Sequence, residues 1–270
     1  MSRNDEHDRM VEKNVSRMHQ DASFKDRNQQ YLEFMLSYKF QYNYSWFGRP
    51  IIQIPQDIYA VQEMIWTAKP ELIIETGIAH GGSLILSASL LAQLDMLDGL
   101  SNFEENQKIS FSKKRHVIGI DIEIRSHNKI SLKNHPMAPY YTMFEGSSTD
   151  TSIIDKVREF ASRYEKVMVL LDSNHTHEHV LNELKAYAPL VSKGSYLVVW
   201  DSGLEDVSDA TNEIIKSQRP WGIGNNPKTA LIEYLNEVDP YRTKYELDTS
   251  LRTKIGISAT SDSFLVRRED

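Results

Sequence analysis

Apolar residues fall in short unbroken runs along the middle of this chain, and each run closes on a carboxylate. Leu72–Ile74 leads to Glu75; Gly77, Gly81 and Gly82 then punctuate a turn before a second apolar stretch begins at Ser83. This pattern predicts a buried strand over Glu71–Glu75, a tight glycine loop and a helix over Ser83–Leu97. The form recurs. Predicted strands at His116–Ile120, Tyr140–Phe144, Val167–Leu171 and Ser195–Val199 end at or beside Asp121, Glu145, Asp172 and Asp201. Helical spacing covers Gln56–Ala68, Ile153–Tyr164, His177–Tyr187 and Thr229–Leu235. Runs without polar alternation belong to strands buried on both faces, so the expected architecture is α/β, a mostly parallel sheet with helices on both sides. Lys244–Leu247 and Phe264–Arg267 are expected as a terminal antiparallel pair.

The N-terminal part differs. Residues 1–30 are charged with weak helical periodicity and read as a mobile or partner-packed arm. Residues 31–48 gather Tyr31, Phe34, Met35, Tyr38, Phe40, Tyr42, Tyr44, Trp46 and Phe47. They read as a helix and loop packed on the core or on another subunit, or as a lid over a substrate. The expected division is an arm and aromatic segment at 1–48 and a main domain at 49–270, with a polar insert over 98–114.

Composition narrows the class. With 40% hydrophobic and 26% charged residues in a chain of 270, a sizeable globular core is expected. A formal charge of −7 without a basic block argues against a nucleic-acid surface. Cysteine is absent, which removes disulfides, thiolate metal sites and a cysteine nucleophile, and agrees with an expected cytoplasmic location. The charged N-terminus lacks a signal-peptide core, and Ile78–Leu94 reads as too short and too polar to span a bilayer.

The candidate chemistry lies at the strand ends. A glycine loop between a parallel strand and a helix is where α/β proteins hold nucleotide-like ligands. This loop opens on Glu75 and carries no basic residue except His80, so it suits ribose hydroxyls or a positive centre better than a pyrophosphate. S-adenosylmethionine offers both. Asp121 suits a ribose, and Glu145-Gly146-Ser147-Ser148 would stand near an adenine. Each acid alone could simply cap a helix; five on one rim repel unless a cation or hydrogen-bond donors offset them. Asp172 with Asp201 opposite would suit Mg²⁺, leaving His175 as a base near neutral pH, while His177 and His179 read as solvated or core-capping. Arg219, Trp221 and Lys228 fall on a polar Pro/Gly segment, read either as a surface loop or as a flap over an acceptor.

Several stretches together resemble the cephalosporin hydroxylase (CmcI-like) family. They are Pro55-Gln56-Asp57, Ile74 through Ser83, Leu171 through His175 with His179-Val180, Tyr187 through Val191, Arg219-Pro220-Trp221-Gly222 and Pro227-Lys228-Thr229-Ala230. The family is similar to class I S-adenosylmethionine-dependent methyltransferases and includes sugar O-methyltransferases such as those acting on rhamnose. The resemblance implies a Rossmann-like seven-stranded sheet, a methyl donor along Glu75, Thr76, Gly77, His80, Gly81, Ser83 and Asp121, Mg²⁺ at Asp172 and Asp201, and a homo-oligomer acting on a small-molecule or glycan hydroxyl. Two positions depart from the family pattern. The fifth strand ends Trp200-Asp201 where Glu-Asp is common, so Glu205, Asp206 or water would complete a metal shell; Asn174 stands where relatives carry Asp. Two alternatives stay open: a cofactor-binding subunit that needs a partner protein, and an iron hydroxylase using His175, His179 and Asp172.

Overall fold

The computed structural model describes residues 5–101 and 112–269. Two helices come first, α1 (Asp5–Gln20) and α2 (Ala22–Ser37), then the hairpin β1 (Tyr44–Trp46) and β2 (Arg49–Ile51), then α3 (Pro55–Ala68). The central part alternates strictly: β3 (Leu72–Thr76), α4 (Gly82–Ser101), β4 (His116–Asp121), α5 (Ser126–Lys133), β5 (Tyr141–Glu145), α6 (Thr151–Ala161), β6 (Val167–Leu171), α7 (His177–Tyr187) and β7 (Tyr196–Val199). The chain closes with α8 (Asp209–Lys216), α9 (Pro227–Val238), β8 (Tyr245–Leu247), α10 (Thr249–Ile255) and β9 (Phe264–Arg267).

Seven strands form one sheet in the order β5-β4-β3-β6-β7-β9-β8. The five from β5 to β7 pair in parallel, and β9 and β8 add an antiparallel edge, as the terminal apolar runs predict. Successive residues of β3 bury on opposite faces. Ile73 joins the layer of α3 and α4, whereas Leu72 and Ile74 join that of α6, α7 and α9. Both faces are dry, which is why these strands read as continuous apolar runs.

Local signals set the helix boundaries. Asp21 accepts hydrogen bonds from the amides of Ser23 and Phe24 at the start of α2, and Asn226 with Thr229 forms a capping box at α9, with Pro227 in its first turn. The structure corrects the reading of residues 1–30 as an arm: from Asp5 onward they are helical, and α1 packs on α10, with His19 Nδ1 at 3.2 Å from Thr253 Oγ1. Helices α5, α8 and α10 were not expected; each is only seven or eight residues long, too short for periodicity to declare. Residues 102–111 of the expected polar insert lie outside the described residues.

Helix α4 runs to Ser101, beyond the expected end at Leu97, and among the described residues it alone has the length and composition to cross a membrane. Leu84, Ile85, Ala88 and Leu91 are fully buried against the sheet, as in the core helix of a globular domain.

Candidate active site

The strand order reverses between β3 and β6, because the chain builds β4 and β5 on one side of β3 and then crosses to β6 and β7 on the other. Ligands of open α/β sheets bind above such a switch point, at the carboxyl ends of the strands. Here the backbones on the two sides of the crevice nearly touch. Asp172 N donates to Thr76 O at 3.0 Å, and Gly77 has a φ of +81° with no room for a side chain: a Cβ there would lie 2.0 Å from Asp172 O.

The glycine loop is fixed from both sides. Asp121 Oδ2 accepts the amides of Ile78 at 3.1 Å and Ala79 at 2.9 Å, and Oδ1 accepts the amide of Glu123 at 3.2 Å. Opposite, Arg49 donates from Nε and Nη2 to the His80 carbonyl (2.9 and 2.7 Å) and from Nη2 to Asn128 Oδ1 (2.6 Å), while Asn128 Nδ2 reaches Ala79 O at 3.2 Å. Sequence reasoning missed both Arg49, at the start of β2, and Asn128, which sits on the unexpected helix α5.

A cavity of about 1080 Å³ opens above this loop, lined by Gly77, His80, Ser83, Asp121 and Ser147 and, in the same space, by Asp172, His175 and Asp201. The last three each offer one ligand atom, all within 4.8 Å of one another. His175 Nε2 stands 3.3 Å from Asp201 Oδ2, and Gln53 Nε2 donates to Asp172 Oδ2 at 3.1 Å. Burial pushes the Asp172 carboxyl well above the usual range, and the negative charges of Asp201, Glu75, Glu183 and Asp57 add to the effect. A cation held at the cluster would offset both. Asp201 takes a left-handed backbone conformation, φ +57°, one that Asp tolerates better than most non-glycine residues. The His175 ring meets the Trp221 ring edge-on at 4.8 Å, and the Arg219 guanidinium lies 5.4 Å from the centroid of the same Trp221 ring.

Other predicted site residues stand elsewhere. Glu75 is buried beneath the loop, accepting from Ser83 and Ser87, and burial pushes its carboxyl up to about 7. Thr76 is fully buried, its Oγ1 3.3 Å from Asp172 N, and Gly81, φ +85°, packs on Leu132. Glu145 pairs with Lys129 and, like Gly146, is not on the cavity wall, whereas Ser147 and Ser148 are. Lys228 donates to Asp206 at 2.9 Å and Asp262 at 3.2 Å; this network, not the cavity, takes up its charge. Glu205 accepts from Gly224 N and Asn226, and Asp206 holds Lys228, so neither completes the cluster as the sequence had suggested. His177 bridges Thr229 and Glu233, pinning α7 to α9. His179 Nε2 lies 3.1 Å from Ser148 Oγ and from Ser173 Oγ, so the two-histidine set that an iron hydroxylase needs does not form among the described residues.

Residues 38–268 match the family described as Rhamnosyl O-methyltransferase/CmcI. The chain belongs to this family. Among its relatives is the rhamnosyl O-methyltransferase of Mycobacterium tuberculosis (strain ATCC 25618 / H37Rv), 26% identical over 212 residues, which are 78% of this chain and 73% of that one. The Mycobacterium leprae (strain TN) rhamnosyl O-methyltransferase is 26% identical over 227 residues, 83% of each chain. A solved structure of CmcI with Mg and SAM shares the fold: its TM-score is 0.51 at 19% identity, covering 85% of this chain and 78% of that chain. As a member of the family this chain has the class I methyltransferase fold. The residue after β7 is packed inward. Trp200 is buried, 4% exposed, with its ring edge-on to Phe264 at 5.9 Å, and so belongs to the core.

Proposed function

We propose that this chain is an S-adenosylmethionine-dependent O-methyltransferase acting on a hydroxyl of a sugar or of a related natural-product or glycan acceptor, with Mg²⁺ held at Asp172 and Asp201. One observation carries the reading: the Asp172–His175–Asp201 cluster and the clamped glycine loop open into one cavity. Two carboxylates suit a hard divalent cation, and burial together with the charges of Asp201, Glu75, Glu183 and Asp57 raises the Asp172 carboxyl, a balance that a bound cation would offset, so the residues present fit Mg²⁺. Bound here, S-adenosylmethionine would supply an electrophilic sulfonium methyl, and Mg²⁺ held by Asp172 and Asp201 would supply a Lewis acid.

The chain's own residues supply position and a proton acceptor. Gly77, His80 and Ser83 shape the donor pocket, with Gly81 packed on Leu132 behind the loop; Asp121 faces the ribose, and Ser147 borders the adenine side. Glu75 acts from below by holding Ser83 in place. His175, set beside the two carboxylates, takes the acceptor proton, a step worth about 10²–10⁴ in rate. Trp221 offers a flat face to a sugar ring, with Arg219 behind it. The segment up to residue 48 covers the catalytic domain at 49–270, and the exposed aromatic face of α2 (Tyr31, Phe34, Tyr38) is the surface through which a homo-oligomer forms.

The test is methyl transfer by the purified protein with S-adenosylmethionine and Mg²⁺ to a panel of deoxysugar glycosides, read by mass spectrometry. A product one methyl heavier, lost on chelation of the metal, is expected. Turnover only with iron and 2-oxoglutarate, or only after adding a second protein, would sink the proposal.

A further inference from the structure

The family match begins at residue 38, yet part of the cavity wall comes from α2, which ends before it. Leu32, Glu33, Leu36 and Ser37 line the cavity, a spacing that marks one helical face. Thr211, Ile214, Ile215 and Gln218 line it from α8 and the turn after it, again as one face. The end of α2, within the segment read either as packed helix and loop or as a lid, and α8, which was not expected, thus each turn a stripe toward the same space as His175 and Trp221.

A single side chain ties these helices together. Glu33 of α2 accepts from Ser208 N at 3.1 and 3.2 Å, from Ser208 Oγ at 2.5 Å and from Thr211 Oγ1 at 2.5 Å. Ser208 is the N-cap of α8, its Oγ also accepting from Thr211 N, so the Glu33 carboxylate sits at the positive end of that helix. Gln29, one turn earlier, braces the arrangement by donating to Glu33 Oε1 and to the Asp206 carbonyl, each at 3.2 Å. Burial alone would raise the Glu33 carboxyl; the hydrogen bonds from Ser208 and Thr211 outweigh it and hold the group below its usual range.

We infer that Leu32 and Leu36 on α2, with Ile214 and Ile215 on α8, form an acceptor-specificity wall for an apolar substituent, and that Glu33 is the positioning residue that sets its width. This rests on the acceptor reading above and extends it. The acceptor presents its reacting hydroxyl to Asp172 and His175 and an apolar substituent to the wall. The occupant is part of the small-molecule acceptor itself, because the wall is continuous with the reacting end of the cavity.

Binding calorimetry on the full chain with S-adenosylhomocysteine and Mg²⁺ tests the inference, using methyl and hexyl α-L-rhamnoside as probes. The hexyl glycoside is expected to bind about 10-fold more tightly, since its chain removes several methylenes from water. Leu36→Gln and, independently on α8, Ile214→Gln bring the two probes to within about twofold of each other, with nucleoside affinity unchanged as the check on folding. Glu33→Gln weakens the hexyl probe more than the methyl one. Equal binding of both probes by the unaltered chain, binding of neither, or a preference that survives both wall variants overturns the inference. Failure of the methyltransferase reading shows separately, as absent methyl transfer to either glycoside while the chain-length preference persists.

Discussion

Gly77 and Asp172 meet backbone to backbone at the point where the sheet reverses direction, so closely that a Cβ on Gly77 would stand 2.0 Å from the Asp172 carbonyl oxygen. The contact couples the two halves of the site, since Gly77 opens the donor loop and Asp172 begins the acidic cluster. Gly77→Ala faces both this collision and a φ of +81°. It is expected to cost more than about 2 kcal/mol in stability and to weaken the methyl donor. Urea unfolding and donor calorimetry check the two effects; unchanged donor affinity would show that the contact is not part of the donor pocket.

Asp172→Ala is expected to abolish turnover and the response to Mg²⁺ while leaving donor affinity within severalfold. The reason is that Asp172 Oδ2 is engaged by Gln53, on the acceptor side, and the loop amides are held by Asp121 instead. Calorimetry showing lost donor affinity with an intact metal response would reverse the assignment.

Trp200→Glu creates the Glu-Asp ending that the family resemblance leads one to expect, yet it is expected to fail as a metal ligand. The side chain is buried against Phe264, so a carboxylate there enters the core without a partner. A loss of about 3–5 kcal/mol on chemical unfolding is expected from the missing indole alone. A variant of unchanged stability and tighter metal binding would show that the strand end can turn its side chain toward the cavity.

Stability should fall as pH rises from about 4 to about 7. Burial pushes both Asp57 and Glu75 up to about 7, above their values in the unfolded chain. Between the unfolded and folded values the native state binds more protons, so raising the pH favours unfolding. The stability these groups contribute is full below the unfolded value and lost through the folded one. Each contributes a slope of up to about 1.4 kcal/mol per pH unit in that window. Glu75→Gln, whose Ser83 and Ser87 partners can reverse their hydroxyls, should flatten its share. Unfolding midpoints taken across the range decide this, and an unaltered slope would argue that Glu75 is ionised in the folded protein.

Phe34→Asp places a charge on the exposed face of α2, away from the cavity lining, where Phe34 is 58% exposed and Tyr38 69%. If this face carries the homo-oligomer, sedimentation should show a smaller species with unchanged unfolding. An unchanged sedimentation coefficient would place the interface elsewhere or remove it.

The sheet and its active edge were legible in the chain because burial on both faces leaves no polar residue in a strand until it ends. Leu72–Ile74, Val167–Leu171 and their neighbours therefore announced both the strands and the acids beyond them. The glycine loop was legible for a related reason, since only glycine tolerates the approach seen at Gly77. Which acids share a cavity was not. Asp121, Asp172 and Asp201 reach it; Glu75 turns under the loop and Glu145 toward Lys129, although all five sit at strand ends. Side-chain direction depends on partners distant in sequence, such as Ser83 for Glu75 and Gln53 for Asp172, and one-dimensional spacing carries no record of them. The same holds for Lys228, claimed by Asp206 and Asp262, and for α2 and α8, joined by Glu33 across more than 170 residues of chain. The sequence by itself determined the layered α/β scaffold and the rim on which the chemistry stands. Only the tertiary structure decided which rim residues converge and what walls the space above them, because long-range hydrogen bonds and packing, not local pattern, orient those groups.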